Sequence, residues 1–190
     1  MTEFSYWLTH VNLPTWITLS RLLGAPIVLV LLASPTPHRC WWATGVFLLA
    51  ASTDWVDGYL ARKLDQVTEL GKFLDPLVDK LLVTAPLLAL VLMERVPAWG
   101  VFLIVARELT ISGWRVNPAF QGKQVPGASL WGKVKTVVQI AAIALLLMPL
   151  TGFWSRLAMG LFWLAVALTW ISGWMYLRPA NSKFNVQNSK

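Results

Sequence analysis

Residues 52–80 read "STDWVDGYLARKLDQVTELGKFLDPLVDK", and this stretch joins two long apolar segments. It carries five aspartates, four of which form two closely spaced pairs in largely apolar surroundings: Asp54 with Asp57, and Asp75 with Asp79. The members of each pair are three or four residues apart, so on a helix they share one face. The charged middle of the stretch predicts a turn between two antiparallel helices. Four carboxylates would then meet at one depth of a helical hairpin.

The composition of the whole chain indicates a membrane protein. Of its 190 residues, 56% are hydrophobic and only 13% are charged, and the mean hydropathy is +0.58. In soluble domains, about a quarter of the residues are charged. The net charge of +7 is interpreted as basic residues flanking membrane helices and not as a nucleic-acid surface. The single cysteine, Cys40, excludes a disulfide within the chain, and His10 and His38 form no zinc motif.

Six apolar segments predict an all-α integral membrane protein with six transmembrane helices, because each is near the ~20 residues that a span needs. Residues 4–11 are amphipathic and predict a short interfacial segment. We expect one membrane domain over residues 1–178, a polar disordered tail over 179–190 and no cleavable signal peptide. The predicted spans are 16–32, 41–60, 73–93, 98–114, 130–150 and 154–177.

The distribution of charge predicts the orientation. If both termini lie on one side, all but three of the 16 lysines and arginines fall on that side, and the exceptions are Arg39, Arg95 and Arg156. The positive-inside rule then predicts a cell-membrane protein whose termini and aspartate hairpin both face the cytoplasm. Several tryptophans lie near the segment ends, a position typical of residues that anchor a span at the membrane–water interface. They are Trp7, Trp41, Trp42, Trp99, Trp131 and Trp154.

The aspartate cluster is a candidate metal and phosphate site. Clustered carboxylates repel one another unless a cation lies between them. Carboxylate oxygens suit hard ions such as Mg²⁺ or Mn²⁺, and Mg²⁺ completes its shell with phosphates and water. Gly58 and Gly71 would let a bulky group approach the backbone. Arg62, eight residues after Asp54, could bind a phosphate or neutralise a carboxylate.

Each residue also has an ordinary structural interpretation. Asp75 precedes Pro76 and could be a helix N-cap. Gly58 and Gly71 could be packing glycines, and Arg62 an interfacial anchor. None of these interpretations explains two spaced pairs of aspartates and two glycines in one short stretch. Acidic residues inside membrane segments are mostly functional.

The stretch reads Asp54-x-x-Asp57-Gly58-x-x-Ala61-Arg62 and, eight residues later, Gly71-x-x-x-Asp75-x-x-x-Asp79. This order resembles the signature of the CDP-alcohol phosphatidyltransferase family at every fixed position. The resemblance implies a six-helix membrane enzyme, commonly a homodimer, with a cytoplasm-facing active site. Such enzymes displace CMP from a CDP-linked lipid or alcohol with the hydroxyl of an acceptor. The implied cofactor is Mg²⁺ or Mn²⁺, with two ions.

The resemblance also implies a role for each matched residue. Asp54, Asp57 and Asp75 would bind metal, and Asp79 would be the general base and would also bind a second ion. The positions implied to surround the cytidine diphosphate are Gly58, Ala61, Arg62 and Gly71.

The segment "NLPTWITLSR" at residues 12–21, with "DPLVDK", "ARELTISGWR" and "GKVKT" further along, is similar to family members whose acceptor is glycerol 3-phosphate. This similarity implies transfer of a phosphatidyl group from CDP-diacylglycerol to glycerol 3-phosphate, in phospholipid biosynthesis. It also implies that Thr18 and Arg21 lie near the nucleotide.

Basic residues in the fourth and fifth segments independently suit an anionic acceptor. Arg107, Arg115, Lys133 and Lys135 are candidate ligands of the acceptor phosphate. The two lysines are two residues apart, so we expect only one of them to face the site. The ordinary alternatives are snorkelling for Lys133 and an ion pair between Arg107 and Glu108.

Three other functions are weighed beside this one. The same fold could use inositol phosphate, serine or phosphatidylglycerol as its acceptor. A divalent-cation transporter could use the aspartates as a transit site, but transporters usually carry internal repeats and midplane sites, and no repeat is visible in this sequence. A scaffolding protein would leave the aspartates unexplained.

Overall fold

The fold is described from a computed structural model of the chain. It describes the backbone of residues 13–64, 69–116 and 130–177, and the side chains of 20–53, 77–113 and 132–174. These ranges contain six α-helices and no strand, which confirms the predicted all-α class. The predicted N-terminal interfacial segment and the tail over 179–190 lie outside the described residues. The helices are α1 Leu13–Leu32, α2 Pro37–Leu64, α3 Glu69–Leu92, α4 Ala98–Val116, α5 Leu130–Leu147 and α6 Phe153–Leu177.

Capping groups determine where two of these helices begin and end. The Oγ1 of Thr36 accepts a hydrogen bond from the backbone N of Arg39 at 3.3 Å, and Pro37 takes the first position of α2. Both are N-terminal signals. After α3, Glu94 has a φ of 56°, and the N of Arg95 donates to the carbonyl of Leu90 at 2.9 Å. This left-handed turn is the one that glycine usually makes at a helix end.

The guanidinium of Arg95 ties the ends of several helices together. Its Nη1 donates to the carbonyls of Leu146, Leu147 and Met148 at 2.6, 3.0 and 3.1 Å, and its Nη2 lies 4.0 Å from the Sγ of Cys40. Carbonyls at the end of a helix have no following turn to bond with. A cation there is also favourable with the helix dipole. Arg95 therefore caps α5 and joins it to α3 and α2.

Replacing Arg95 by Gln should lower the free energy of unfolding by about 2–3 kcal/mol, because the cap loses its charge and most of its hydrogen bonds. Thermal unfolding of the purified protein in detergent measures this. Arg156→Gln is the matched control, since Arg156 is exposed and lines the same small cavity as Arg95. Equal unfolding midpoints for the two variants would contradict the capping role.

These contacts also give the direction of each described helix. Because α3 and α5 end at Arg95 and α2 begins beside it, α2 runs opposite to α3 and α5. The short connections place the end of α1 and the starts of α4 and α6 at the same end of the bundle. We call it the arginine end, since Arg39, Arg95 and Arg156 all lie there, and we call the opposite one the aspartate end.

Apolar side chains fill the space between the helices. Gly100 lets α4 approach α6 closely, because a Cβ at this position would lie 2.8 Å from the ring of Phe162. The rings of Trp99 and Trp163 pack beside this contact, with centroids 4.5 Å apart. The largest fully buried apolar side chains are Phe47, Phe162, Leu87, Leu90, Ile104, Ile143, Leu147, Val28 and Val78.

The outer surface of the bundle is apolar as well. In the described part of the chain, α6 over Phe153–Trp174 is the one helix long and apolar enough by itself to cross a membrane, and Ser20–Leu32 is apolar but shorter. Exposed tryptophans occur at the arginine end, namely Trp41, Trp42, Trp99 and Trp154. Large exposed aliphatic and aromatic side chains along the helices include Val30, Leu49, Leu92, Phe102 and Val137.

Candidate functional site

A cavity of about 870 Å³ lies between α2, α3, α4 and α5. Asp79 of α3, Arg107 of α4, and Lys133 and Lys135 of α5 line it. One predicted carboxylate and three predicted phosphate ligands therefore face the same space. Much of the remaining wall is apolar and consists of Phe47, Leu82, Val83, Ile104, Val105, Ile111, Val137 and Ile140.

Asp79 forms an ion pair with a residue of α1. The Nη1 of Arg21 donates to the Oδ1 of Asp79 at 3.0 Å. The arginine side chain is only 2% exposed, whereas that of Asp79 is 46% exposed. An ion pair of this kind limits the cost of burying the guanidinium. It also fixes the carboxylate at the cavity wall, with the rest of the group open to the cavity.

Glu108 lies between two of the predicted phosphate ligands. Its Oε1 forms an ion pair with the Nζ of Lys135 and lies 3.8 Å from the Nη1 of Arg107. Lys135 is buried, with 6% of its surface exposed. The ion pair between Arg107 and Glu108, which is the ordinary structural alternative for Arg107, is therefore present. It does not exclude the functional interpretation, because Arg107 and Glu108 both line the cavity.

Helix α6 positions Arg107 from the other side. The Nη2 of Arg107 donates to the Oγ of Ser172 at 2.8 Å, and that hydroxyl donates to the carbonyl of Thr169 at 3.0 Å. The next residue is Gly173, where a Cβ would lie 3.0 Å from the Nε of Arg107 and 3.3 Å from its Cγ. The arginine side chain crosses α6 where a glycine leaves room for it.

The expectation that only one of Lys133 and Lys135 faces the site is wrong, since both line the cavity. Lys135 is buried and Lys133 is exposed. The physical reason is that a long lysine stem can reach round a helix, so that two residues on different faces reach one wide cavity. Lys80, beside Asp79, lines it too.

The other predicted site residues lie on described helices, but their side chains lie outside the described residues. Their proposed roles stay predictions. Because α3 begins at Glu69, Asp75 is inside the helix and is not its N-cap, and it shares one face with Asp79. The remaining positions are Thr18 on α1, Asp54, Asp57, Gly58, Ala61 and Arg62 on α2, Gly71 on α3 and Arg115 on α4.

The predicted metal site stays a prediction. Among the described side chains, which include Asp79 but not Asp54, Asp57 and Asp75, no three His, Cys, Asp or Glu are grouped so as to hold a metal ion. The donor set itself suits Mg²⁺ or Mn²⁺, because it consists of carboxylates alone. Asp79, half-exposed at the cavity wall, is the described member of that set.

Some groups of the site were not predicted from the sequence. Sequence patterns indicate Glu108 only as a partner of Arg107, and they do not by themselves indicate Ser172 or Gln139. Gln139 follows Lys135 by four residues, a spacing that places both on one helical face. That signal was available in the sequence. For Ser172 there was none, because it is 65 residues from Arg107 along the chain.

Sequence comparison relates this chain to one family of known proteins. A family model described as CDP-alcohol phosphatidyltransferase matches residues 11–171. Among the similar curated proteins, a Bacillus subtilis (strain 168) protein is 42% identical over 183 residues, covering 87% of this chain and 93% of its own length. Proteins of Pseudomonas fluorescens and Escherichia coli (strain K12) are each 39% identical and cover 90% of this chain, and 90% and 96% of their own lengths. All three are named CDP-diacylglycerol–glycerol-3-phosphate 3-phosphatidyltransferase.

Proposed function

Because the chain belongs to the CDP-alcohol phosphatidyltransferase family, we propose that it transfers the phosphatidyl group of CDP-diacylglycerol to glycerol 3-phosphate and releases CMP. The observation that carries this proposal is the cavity in which Asp79 lies with Arg107, Lys133 and Lys135. A carboxylate suits the proton of a hydroxyl, and the cations suit a phosphate. Glycerol 3-phosphate carries both groups. The product, phosphatidylglycerophosphate, belongs to phospholipid biosynthesis.

The residues of the cavity divide the work of the reaction. Arg107, Lys133 and Lys135 bind the phosphate of the acceptor and orient its C1 hydroxyl, and orientation is most of what phosphoryl transfer requires of a protein. Asp79 takes the proton of that hydroxyl. The hydroxyl oxygen then forms a bond to the phosphorus that carries diacylglycerol. The bond from this phosphorus to the CMP oxygen breaks, and CMP leaves with the electron pair.

The proposed metal ligands are Asp54, Asp57, Asp75 and Asp79, which would hold two Mg²⁺ or Mn²⁺ ions. When bound, such ions would neutralise charge on the pyrophosphate of the donor and on departing CMP. Two features support this site. All four ligands are carboxylates, which suit hard ions, and the two aspartates of each pair are spaced so that they share one face of a helix. The proposed donor-binding residues are Thr18, Gly58, Ala61, Arg62 and Gly71, and the buried Arg21, which the sequence also placed near the nucleotide, would act through its ion pair with Asp79.

The proposed setting is a multi-pass protein of the cell membrane with six spans, whose termini and active site face the cytoplasm. The outward-facing apolar side chains of the bundle support a lipid environment. The three arginines assigned to the outer side share one end of the bundle with exposed tryptophans, as an interface would require. The homodimer and the acceptor-phosphate role of Arg115 stay predictions.

The reaction is tested by measuring CMP release from CDP-diacylglycerol by the purified protein in detergent. Glycerol 3-phosphate, inositol phosphate, serine and phosphatidylglycerol are supplied in turn, each with Mg²⁺, with Mn²⁺ or with a chelator. We expect release with glycerol 3-phosphate in the presence of a divalent cation. Faster release with another acceptor would overturn the assignment of the acceptor, and full release with the chelator would overturn the metal dependence.

Gly173→Ala should raise the KM for glycerol 3-phosphate by about threefold to tenfold, because the new methyl group displaces Arg107 and catalytic positioning is sensitive to small shifts. The KM for CDP-diacylglycerol should stay unchanged. The control is Gly160→Ala on the same helix, where nothing lies within 4 Å of an added Cβ. If the two variants have the same kinetics, Arg107 does not bind the acceptor where we place it.

A further inference from the structure

Gln139 is a buried amide at the wall of the cavity. It lies on α5, is 4% exposed and lines the cavity together with Lys135. It stands in a wall that is mostly apolar. Native buried amides usually form hydrogen bonds, because an amide without a partner is unfavourable in apolar surroundings. A polar group that enters the cavity can supply such a partner.

The position of Gln139 relates it to the proposed acceptor site. It follows Lys135 by four residues, which is about 6 Å along the helix axis and on the same face. It lies on the arginine-end side of Lys135, the direction in which the cavity wall becomes mostly apolar, with Leu82 and Val83 from α3 and Ile104 from α4. An amide in this wall is a specific polar contact in mostly apolar surroundings.

The chemistry of an amide suits a hydroxyl better than a phosphate. Gln139 offers both a donor and an acceptor and carries no charge. The charged groups of the cavity already suit the phosphate of the acceptor. In glycerol 3-phosphate, the C2 hydroxyl lies between the phosphate and the C1 hydroxyl that attacks. With the phosphate at the cations and the C1 hydroxyl at Asp79, the C2 hydroxyl would face another part of the same cavity wall, to which Gln139 belongs.

We propose that Gln139 binds the C2 hydroxyl of glycerol 3-phosphate and makes the enzyme prefer acceptors that carry a hydroxyl beside the attacking carbon. The inference rests on the proposed function. It adds a residue that determines specificity, and it adds no catalytic step.

The test compares glycerol 3-phosphate with 3-hydroxypropyl phosphate, which keeps the phosphate and the attacking hydroxyl and lacks only the C2 hydroxyl. The wild type should prefer glycerol 3-phosphate by about 10- to 100-fold in kcat/KM. Gln139→Leu should lose most of this preference, because kcat/KM falls for glycerol 3-phosphate and changes little for the analogue. The KM for CDP-diacylglycerol should not change. Gln139→Met keeps the length of the side chain and is the second variant if the leucine variant does not fold.

Thr44→Val is the matched control. Thr44 is as buried as Gln139 and its Oγ1 donates to the carbonyl of Cys40 at 2.8 Å, but it does not line the cavity. This control should keep the wild-type preference. An equal loss on both acceptors in the Gln139 variants, or a higher KM for CDP-diacylglycerol with the preference intact, would overturn the inference. A wild type that does not discriminate between the acceptors would overturn it as well. A wild type that releases no CMP with either acceptor would instead overturn the proposed function.

Discussion

Asp79→Asn is expected to reduce CMP release by about 10,000-fold while the helical bundle stays folded, since loss of a general base costs up to that factor. Asparagine has the size of aspartate and keeps an oxygen to which the Nη1 of Arg21 can donate, as it does to Asp79 at 3.0 Å. It cannot take the proton of the acceptor hydroxyl. Replacing the ion pair by a neutral hydrogen bond should cost about 1–3 kcal/mol of stability.

The measurement is single-turnover CMP release at saturating donor, acceptor and divalent cation, together with the thermal unfolding midpoint. Glu94→Gln is the control, because it makes the same change from carboxylate to amide at the arginine end. It should release CMP at the wild-type rate. Near-normal release by a folded, metal-saturated Asp79→Asn variant would falsify the assignment of Asp79 as the base.

Lys135→Met should lower kcat/KM for glycerol 3-phosphate by about 100-fold, because a charge-assisted hydrogen bond to the phosphate is lost. Most of the effect should be on the KM for glycerol 3-phosphate and little on the KM for CDP-diacylglycerol. Lys133→Met should have a smaller effect, since Lys133 is exposed and its charge is screened by solvent. Steady-state kinetics with each substrate varied in turn measures both effects.

The ion pair between Lys135 and Glu108 requires one further variant. Removing Lys135 alone leaves the Glu108 carboxylate with Arg107 at 3.8 Å, which could disturb the site by itself. The double variant Lys135→Met with Glu108→Gln removes both charges. If Lys135 binds the acceptor, the double variant stays impaired. Recovery of the wild-type KM in the double variant would mean that Lys135 serves only to neutralise Glu108.

The helices could be predicted from the sequence because their signals are local. Each of the six apolar segments coincides largely with a helix, although the predicted 130–150 runs past the end of α5 at Leu147. At the aspartate end, α2 continues to Leu64 and α3 begins at Glu69, beyond the predicted segments 41–60 and 73–93. Those extensions carry charged residues, which apolarity alone does not assign to a helix. Asp75 shows the limit of local signals: Asp-Pro is typical of a helix start, yet the residue lies inside α3, where packing against neighbouring helices outweighs that preference.

The acceptor site could be predicted only in part. The charges of Arg107, Lys133 and Lys135 within apolar segments were visible in the sequence, and the structure brings all three to one cavity. The partners that hold them were not visible, because Ser172 and Glu108 reach Arg107 and Lys135 from other helices. Which face of a helix turns toward a cavity depends on the packing of the whole bundle.

By itself, the sequence determined the all-α class, the aspartate hairpin and the family, because these depend on residue types at short spacings along the chain. Only the tertiary structure decided that Arg21 holds Asp79, that both lysines of α5 reach the cavity and that Gln139 lines its wall. These facts depend on the rotation and depth at which helices far apart in sequence pack together. Each helix offers every face in turn at 3.6 residues per turn, and only its neighbours determine which face becomes the site.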